Sequence, residues 1–113
     1  MPAAEAYLSE EQAPTRAEID AGAGPVLLEF GTDWCGHCRA LAHRITELLE
    51  RHPEVAHVKV EDGPGRPLGR SFAVRLWPNL VFLRDGRVLR QLARPGYAQL
   101  DEAFAELVAK PPA

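Results

Sequence analysis

The sequence predicts an α/β domain, a central mixed β-sheet flanked by helices on both faces. Three observations carry this expectation. The apolar run Pro25-Val26-Leu27-Leu28-Glu29-Phe30, the helical period after it and the stretch Val55 to Glu61 form a strand–helix–strand unit, whose strands must pair in parallel. The dipeptide Asp85-Gly86 joins two further strand-like runs, Asn79 to Arg84 and Arg87 to Ala93, and is a strong signal for a tight hairpin. A closing amphipathic segment then supplies a helix to cover one face.

The elements follow in order. Residues 1–14 read as an N-terminal extension with a short strand around Tyr7-Leu8, and residues 15–113 as one domain. Thr15 to Ala21 is a short helix, because Thr15 and Glu18 have the spacing of a capping box and Gly22 and Gly24 end it. The run from Pro25 to Phe30 is short and nearly continuous, as a strand buried on both faces should be. A helix is expected from Cys35 to His52, since Leu41, Ile45, Leu48 and Leu49 share one face and Pro53 stops it. Asp62 to Gly65 is a turn, and Pro67 opens a short helix to about Val74. The last helix runs from Tyr97 to Ala109, with Leu100, Ala103, Phe104, Leu107 and Val108 as its apolar stripe.

Bulk properties exclude several classes. At 113 residues there is room for one ordinary domain, and 26% charged with 46% hydrophobic residues is a globular composition. The net charge of −3 argues against a nucleic-acid binder. Arg84, Arg87, Arg90 and Arg94 alternate with apolar residues and read as charges that keep an exposed strand soluble. No apolar run approaches the ~20 residues of a membrane span. The start has no basic segment or long apolar core of a secretory leader, which predicts the cytoplasm, or the periplasm if a leader was removed beforehand.

Both cysteines lie in one motif, Cys35-Gly36-His37-Cys38. A bridge across so small a loop adds only about 2 kcal/mol in the chain-entropy model, so this spacing suits a bond made and broken rather than a staple. At the start of a helix the two sulfurs share a face. Cys35 meets unpaired N–H groups and the positive end of the helix dipole, which marks it as the attacking thiolate and the more exposed of the two. Cys38, one turn inward, is placed to resolve the resulting mixed disulfide. His37, between them, favours the Cys35 thiolate and a more oxidising pair; the alternative is a surface histidine that falls there by chance. Glu29 shares a strand face with Leu27. Its period leaves two readings open, a buried carboxyl that takes the Cys38 proton or a strand-end glutamate reaching solvent. A zinc site built from the cysteines with His37, His43, His52 or His57 is disfavoured, because the spacing matches no zinc knuckle. No metal and no cofactor beyond the dithiol is expected.

A Cys-x-x-Cys in a strand–helix–strand context is a thioredoxin-like signature. The chain resembles that family more widely, through Leu27-Leu28-Glu29-Phe30, Asp33-Trp34-Cys35-Gly36-His37-Cys38-Arg39, Trp77-Pro78-Asn79-Leu80 and the Asp85-Gly86 hairpin, in family order. The resemblance implies the thioredoxin fold and a proline, Pro78, that follows a cis peptide beside the sulfurs. It also implies a substrate-binding surface of Trp34, Gly36, Trp77 and Pro78, and a buried acid at Glu29. The Gly-His dipeptide is that of protein disulfide isomerase domains, whereas cytoplasmic thioredoxins usually carry Gly-Pro. Four departures stand out. Gly31 replaces an aromatic and is expected to loosen packing beneath the site. Trp77 replaces a small or β-branched residue, either capping the substrate groove or serving as an ordinary apolar residue at a strand start. His57 falls where a lysine is common, and Arg94-Pro95-Gly96 lacks a cleanly placed loop glycine.

The expected function is a monomeric thiol–disulfide oxidoreductase acting on disulfide-containing proteins as a reductase, through a Cys35 mixed disulfide resolved by Cys38. A recycling reductase or oxidant is the implied second partner. The alternatives are an oxidase or isomerase in an oxidising compartment, and a non-catalytic binding module of the same fold.

Overall fold

The computed structural model describes residues 4 and 6–109. Eight elements follow in order: α1 (Arg16–Asp20), β1 (Pro25–Gly31), α2 (Gly36–Arg51), β2 (Ala56–Glu61), α3 (Pro67–Ser71), β3 (Asn79–Arg84), β4 (Arg87–Ala93) and α4 (Tyr97–Val108). The sheet order is β2-β1-β3-β4. β1 pairs with β2 in parallel and with β3 antiparallel, and β3 pairs with β4 antiparallel. This is the mixed sheet that the sequence predicts.

Strand alternation sorts the core into two layers. Leu27, Leu80 and Phe82 meet Leu41, Ile45, Leu48 and Leu49 of α2 and Leu100, Phe104 and Leu107 of α4 on one face. On the other, Leu28, Phe30, Val81 and Leu83 meet Leu68 and Phe72 of α3, with Ile19 of α1 packed against them. β1 and β3 are therefore the interior strands, buried on both sides, while β4 is an exposed edge. There Arg90 pairs with Glu106 of α4 at 3.1 Å, which holds a charge on an edge that would otherwise invite pairing.

Local chemistry sets the boundaries. Both halves of the Thr15/Glu18 capping box form, at 3.1 and 3.0 Å. Asp85 and Gly86 take φ of 53° and 77°, as a two-residue hairpin turn with the strands' own twist requires. α3 ends at Ser71 rather than near Val74, because Ala73 turns into the left-handed region (φ 54°) and breaks the helical path. The Tyr7-Leu8 segment forms a single parallel bridge, Leu8 to Val60, along the outer edge of β2. No helix among the described residues is long and apolar enough to cross a membrane.

Candidate active site

Cys35 is the N-cap residue of α2, and its Sγ accepts the Cys38 N–H at 3.3 Å. A cysteine here does what Ser or Asp does at other helix starts, so its sulfur sits in the field of the helix N-terminus. Both cysteines are free thiols, and both are buried, Cys35 at 6% and Cys38 at 2% exposure. The expected difference in exposure is thus small. Burial pushes the Cys38 thiol up to about 11, reinforced by the adjacent Cys35 sulfur. Two donors work against that shift, the Thr32 backbone N–H and the Tyr7 hydroxyl.

Glu29 is 2% exposed and does not reach solvent. Its Oε1 lies 2.8 Å from His57 Nε2, with both side chains buried. The register explains the meeting: Leu27 pairs with His57 and Glu29 with Lys59, so odd-numbered residues of β1 and β2 share the face beneath α2. His57 Nδ1 accepts the Ala4 N–H at 2.9 Å, which leaves Nε2 to carry the hydrogen toward Glu29.

Gly31 ends β1 on that same face. A Cβ there would lie 2.6 Å from Cys38 Sγ and 2.7 Å from the Tyr7 hydroxyl oxygen. The expected looseness beneath the site is therefore absent, because Tyr7 from the N-terminal segment occupies the volume that an aromatic at position 31 would take. Lys59 Nζ sits 4.3 Å from the Tyr7 ring centroid and closes this pocket from the β2 side.

The outer surface is aromatic. Trp34 is 75% exposed and stands edge-on to Trp77, with ring centroids 5.6 Å apart. Trp77 lies before β3, half-buried, and its indole N–H donates to Asp62 Oδ2 at 2.9 Å. Gly69 leaves room for that carboxylate, since a Cβ there would be 2.1 Å from Asp62 Oδ1. The Trp77-Pro78 peptide is cis, and Pro78 is buried. Arg94 Nε donates to the Trp77 carbonyl at 2.7 Å and Arg94 N–H to the Pro78 carbonyl at 2.9 Å. Arg94, not Gly96, takes the left-handed conformation in that loop (φ 48°).

Cys35 and Cys38 thus come together at the head of α2, Glu29 lies on the β1 face beneath that helix with His57 as its partner, and Trp34, Trp77 and Pro78 form one outer flank. Gly36 is exposed at the first helical position. His37 is exposed and has no hydrogen bond to either sulfur among the described residues. No group of three His, Cys, Asp or Glu side chains among the described residues is gathered so as to hold a metal. Sequence reasoning missed Tyr7, Thr32 and Asp62 as parts of the site. The unusual Gly31 was the one available sign that another side chain must fill its place.

Comparison with known proteins follows the same lines. The thioredoxin family profile matches residues 7–109. The structure of thioredoxin 2 from Pseudomonas aeruginosa in its reduced form superposes with a TM-score of 0.76 and 53% identity, over 96% of this chain and 95% of that one. A chloroplastic F-type thioredoxin of Brassica napus is 31% identical over 85 residues, 74% of this chain and 47% of that protein. An H-type thioredoxin of Ricinus communis is 27% identical over 86 residues, 76% of this chain and 73% of that protein. The chain spans about half the length of the chloroplastic F-type relatives it matches.

Proposed function

Because the chain belongs to the thioredoxin family, we propose that it is a thiol–disulfide oxidoreductase that reduces the disulfides of other proteins. The observation that carries this reading is the cysteine pair at the head of α2, with Cys35 Sγ on the Cys38 N–H and Cys38 buried behind it.

In the first step the Cys35 thiolate attacks one substrate sulfur. A Cys35–substrate disulfide forms, the substrate's own S–S bond breaks, and one substrate thiolate leaves. In the second step Cys38 gives up its proton and attacks Cys35 Sγ. The Cys35–Cys38 bond forms, the mixed disulfide breaks, and the second substrate thiolate leaves. Glu29, bonded to His57 Nε2, is the group that accepts the Cys38 proton. Two electrons pass from the dithiol to the substrate, so a second protein must return two electrons to reset the pair. Trp34, Gly36, Trp77 and Pro78 form the surface on which the substrate chain lies, with His37 beside it. Since one chain carries both sulfurs, the reaction needs no second copy. This role belongs to a reducing compartment, the cytoplasm on this reading.

The test is turnover of a protein disulfide by two variants. Cys35→Ser is expected to abolish reduction, and Cys38→Ser to leave one attack followed by an accumulating mixed disulfide with the substrate. Reduction at the parent rate by Cys35→Ser protein would remove the dithiol from the mechanism and leave a binding module of the same fold.

A further inference from the structure

The second step asks most of Cys38, since a thiol pushed up to about 11 must become a thiolate near neutral pH. The groups that act on it are the Cys35 sulfur at the N-cap of α2, the Thr32 backbone N–H and the Tyr7 hydroxyl from the N-terminal segment, while Glu29 of β1, bonded to His57 of β2, and Lys59 of β2 face Tyr7 in turn. Tyr7 is held firmly for a residue so far from the motif. Its neighbour Leu8 donates its N–H to the Lys59 carbonyl at 2.7 Å and accepts the Glu61 N–H at 2.9 Å. The ring lies under Lys59 Nζ, and the hydroxyl shares the space above Gly31 with Cys38 Sγ. Burial, the Glu29 charge and the bond to Cys38 push the Tyr7 phenol far above its usual range. A phenol that keeps its proton can only donate to a sulfur anion, never repel it.

We propose that Tyr7 is a catalytic residue of the second step, its hydroxyl held on Cys38 Sγ as the donor that stabilises the attacking thiolate. The assignment rests on the dithiol chemistry proposed above. The cysteine pair alone would not reveal this role, because Tyr7 lies outside the motif, on the edge of β2. Gly31 is its counterpart: only a residue without a side chain leaves the phenol a path to the sulfur.

The size of the effect follows from two opposing trends. Losing one hydrogen bond to an ionised group lowers the thiolate fraction about tenfold. The thiolates that remain are about threefold more nucleophilic, because reactivity rises with basicity. The net expectation is a second step about 3- to 4-fold slower.

The experiment is rapid mixing of reduced protein with a small aromatic disulfide that liberates a coloured thiolate at each step. The first burst reports attack by Cys35, and the second reports attack by Cys38 on the Cys35 mixed disulfide. In Tyr7→Phe the first phase is expected to keep its rate and the second to slow about 3- to 4-fold. Ultraviolet titration of the Cys38 thiolate in a Cys35→Ser background should rise by about one pH unit when Tyr7→Phe is added. An unchanged second phase, an equal slowing of both phases, or an unmoved Cys38 titration would each overturn the assignment. Because the small disulfide reports chemistry alone, failure of the parent protein to reduce any protein disulfide would strike the reductase reading and leave this one standing.

Discussion

Cys38 and Glu29 illustrate how single residues acquire their properties from neighbours far off in the chain. The Cys38 thiol is raised by burial and by the Cys35 sulfur from about 9 to about 11, so the folded chain holds that proton more tightly than the unfolded chain does. The resulting stability is fully present below the unfolded value and is lost as pH rises through the folded one. Melting temperature of the reduced protein should therefore fall between about pH 9 and pH 11 more steeply than that of Cys38→Ala. Tyr7 adds a slope of its own above about pH 10, where the unfolded chain loses the phenol proton and the folded chain keeps it, but both proteins carry Tyr7 and the comparison removes that part. Parallel slopes for the two proteins would show that Cys38 is not the titrating group. At Glu29, the strand period placed the residue on the Leu27 face but left solvent as one of its possible surroundings. The answer came from the β1/β2 register, which sets His57 within 2.8 Å, and pairing between distant strands is not written in either strand alone.

At the scale of elements, what was legible was what is local. The capping box of α1, the Cys35-headed α2 with its stop at Pro53, and the Asp85-Gly86 hairpin each depend on residues a few positions apart, and each forms where the sequence puts it. The packing beneath the site was not legible, because it joins the end of β1 to a segment laid along β2 from the other end of the chain. An aromatic missing at position 31 looked like a void, whereas the segment around Tyr7 fills it. This interlock predicts a coupling. Gly31→Ala should cost about 1–3 kcal/mol by overpacking against Tyr7 and Cys38. The penalty should shrink in a Tyr7→Ala background, where one of the two obstacles is gone, and a double-mutant cycle in urea measures the difference. Additive penalties would mean that the Tyr7 hydroxyl does not bear on position 31.

For the whole molecule, the two-sided sheet does one thing for function: it fixes the head of α2 above a buried acid, with an aromatic flank at the cis Pro78 loop. The layer order was readable because alternating apolar faces and a strand–helix–strand unit leave few arrangements. The direction of electron flow was not, because potential depends on the balance of small terms at two sulfurs. His37 argues for a more oxidising pair, yet its ring is exposed and unbonded to either sulfur, so its pull is weakened by solvent. The measurement that bears most directly on the reductase reading is the equilibrium potential of the Cys35–Cys38 pair, titrated in glutathione buffers and followed by Trp34 fluorescence. A reductase with a solvated His37 should lie at or slightly above the thioredoxin value of about −270 mV. A value near about −180 mV, the range of disulfide isomerases, would contradict that reading and assign the chain to disulfide formation or exchange.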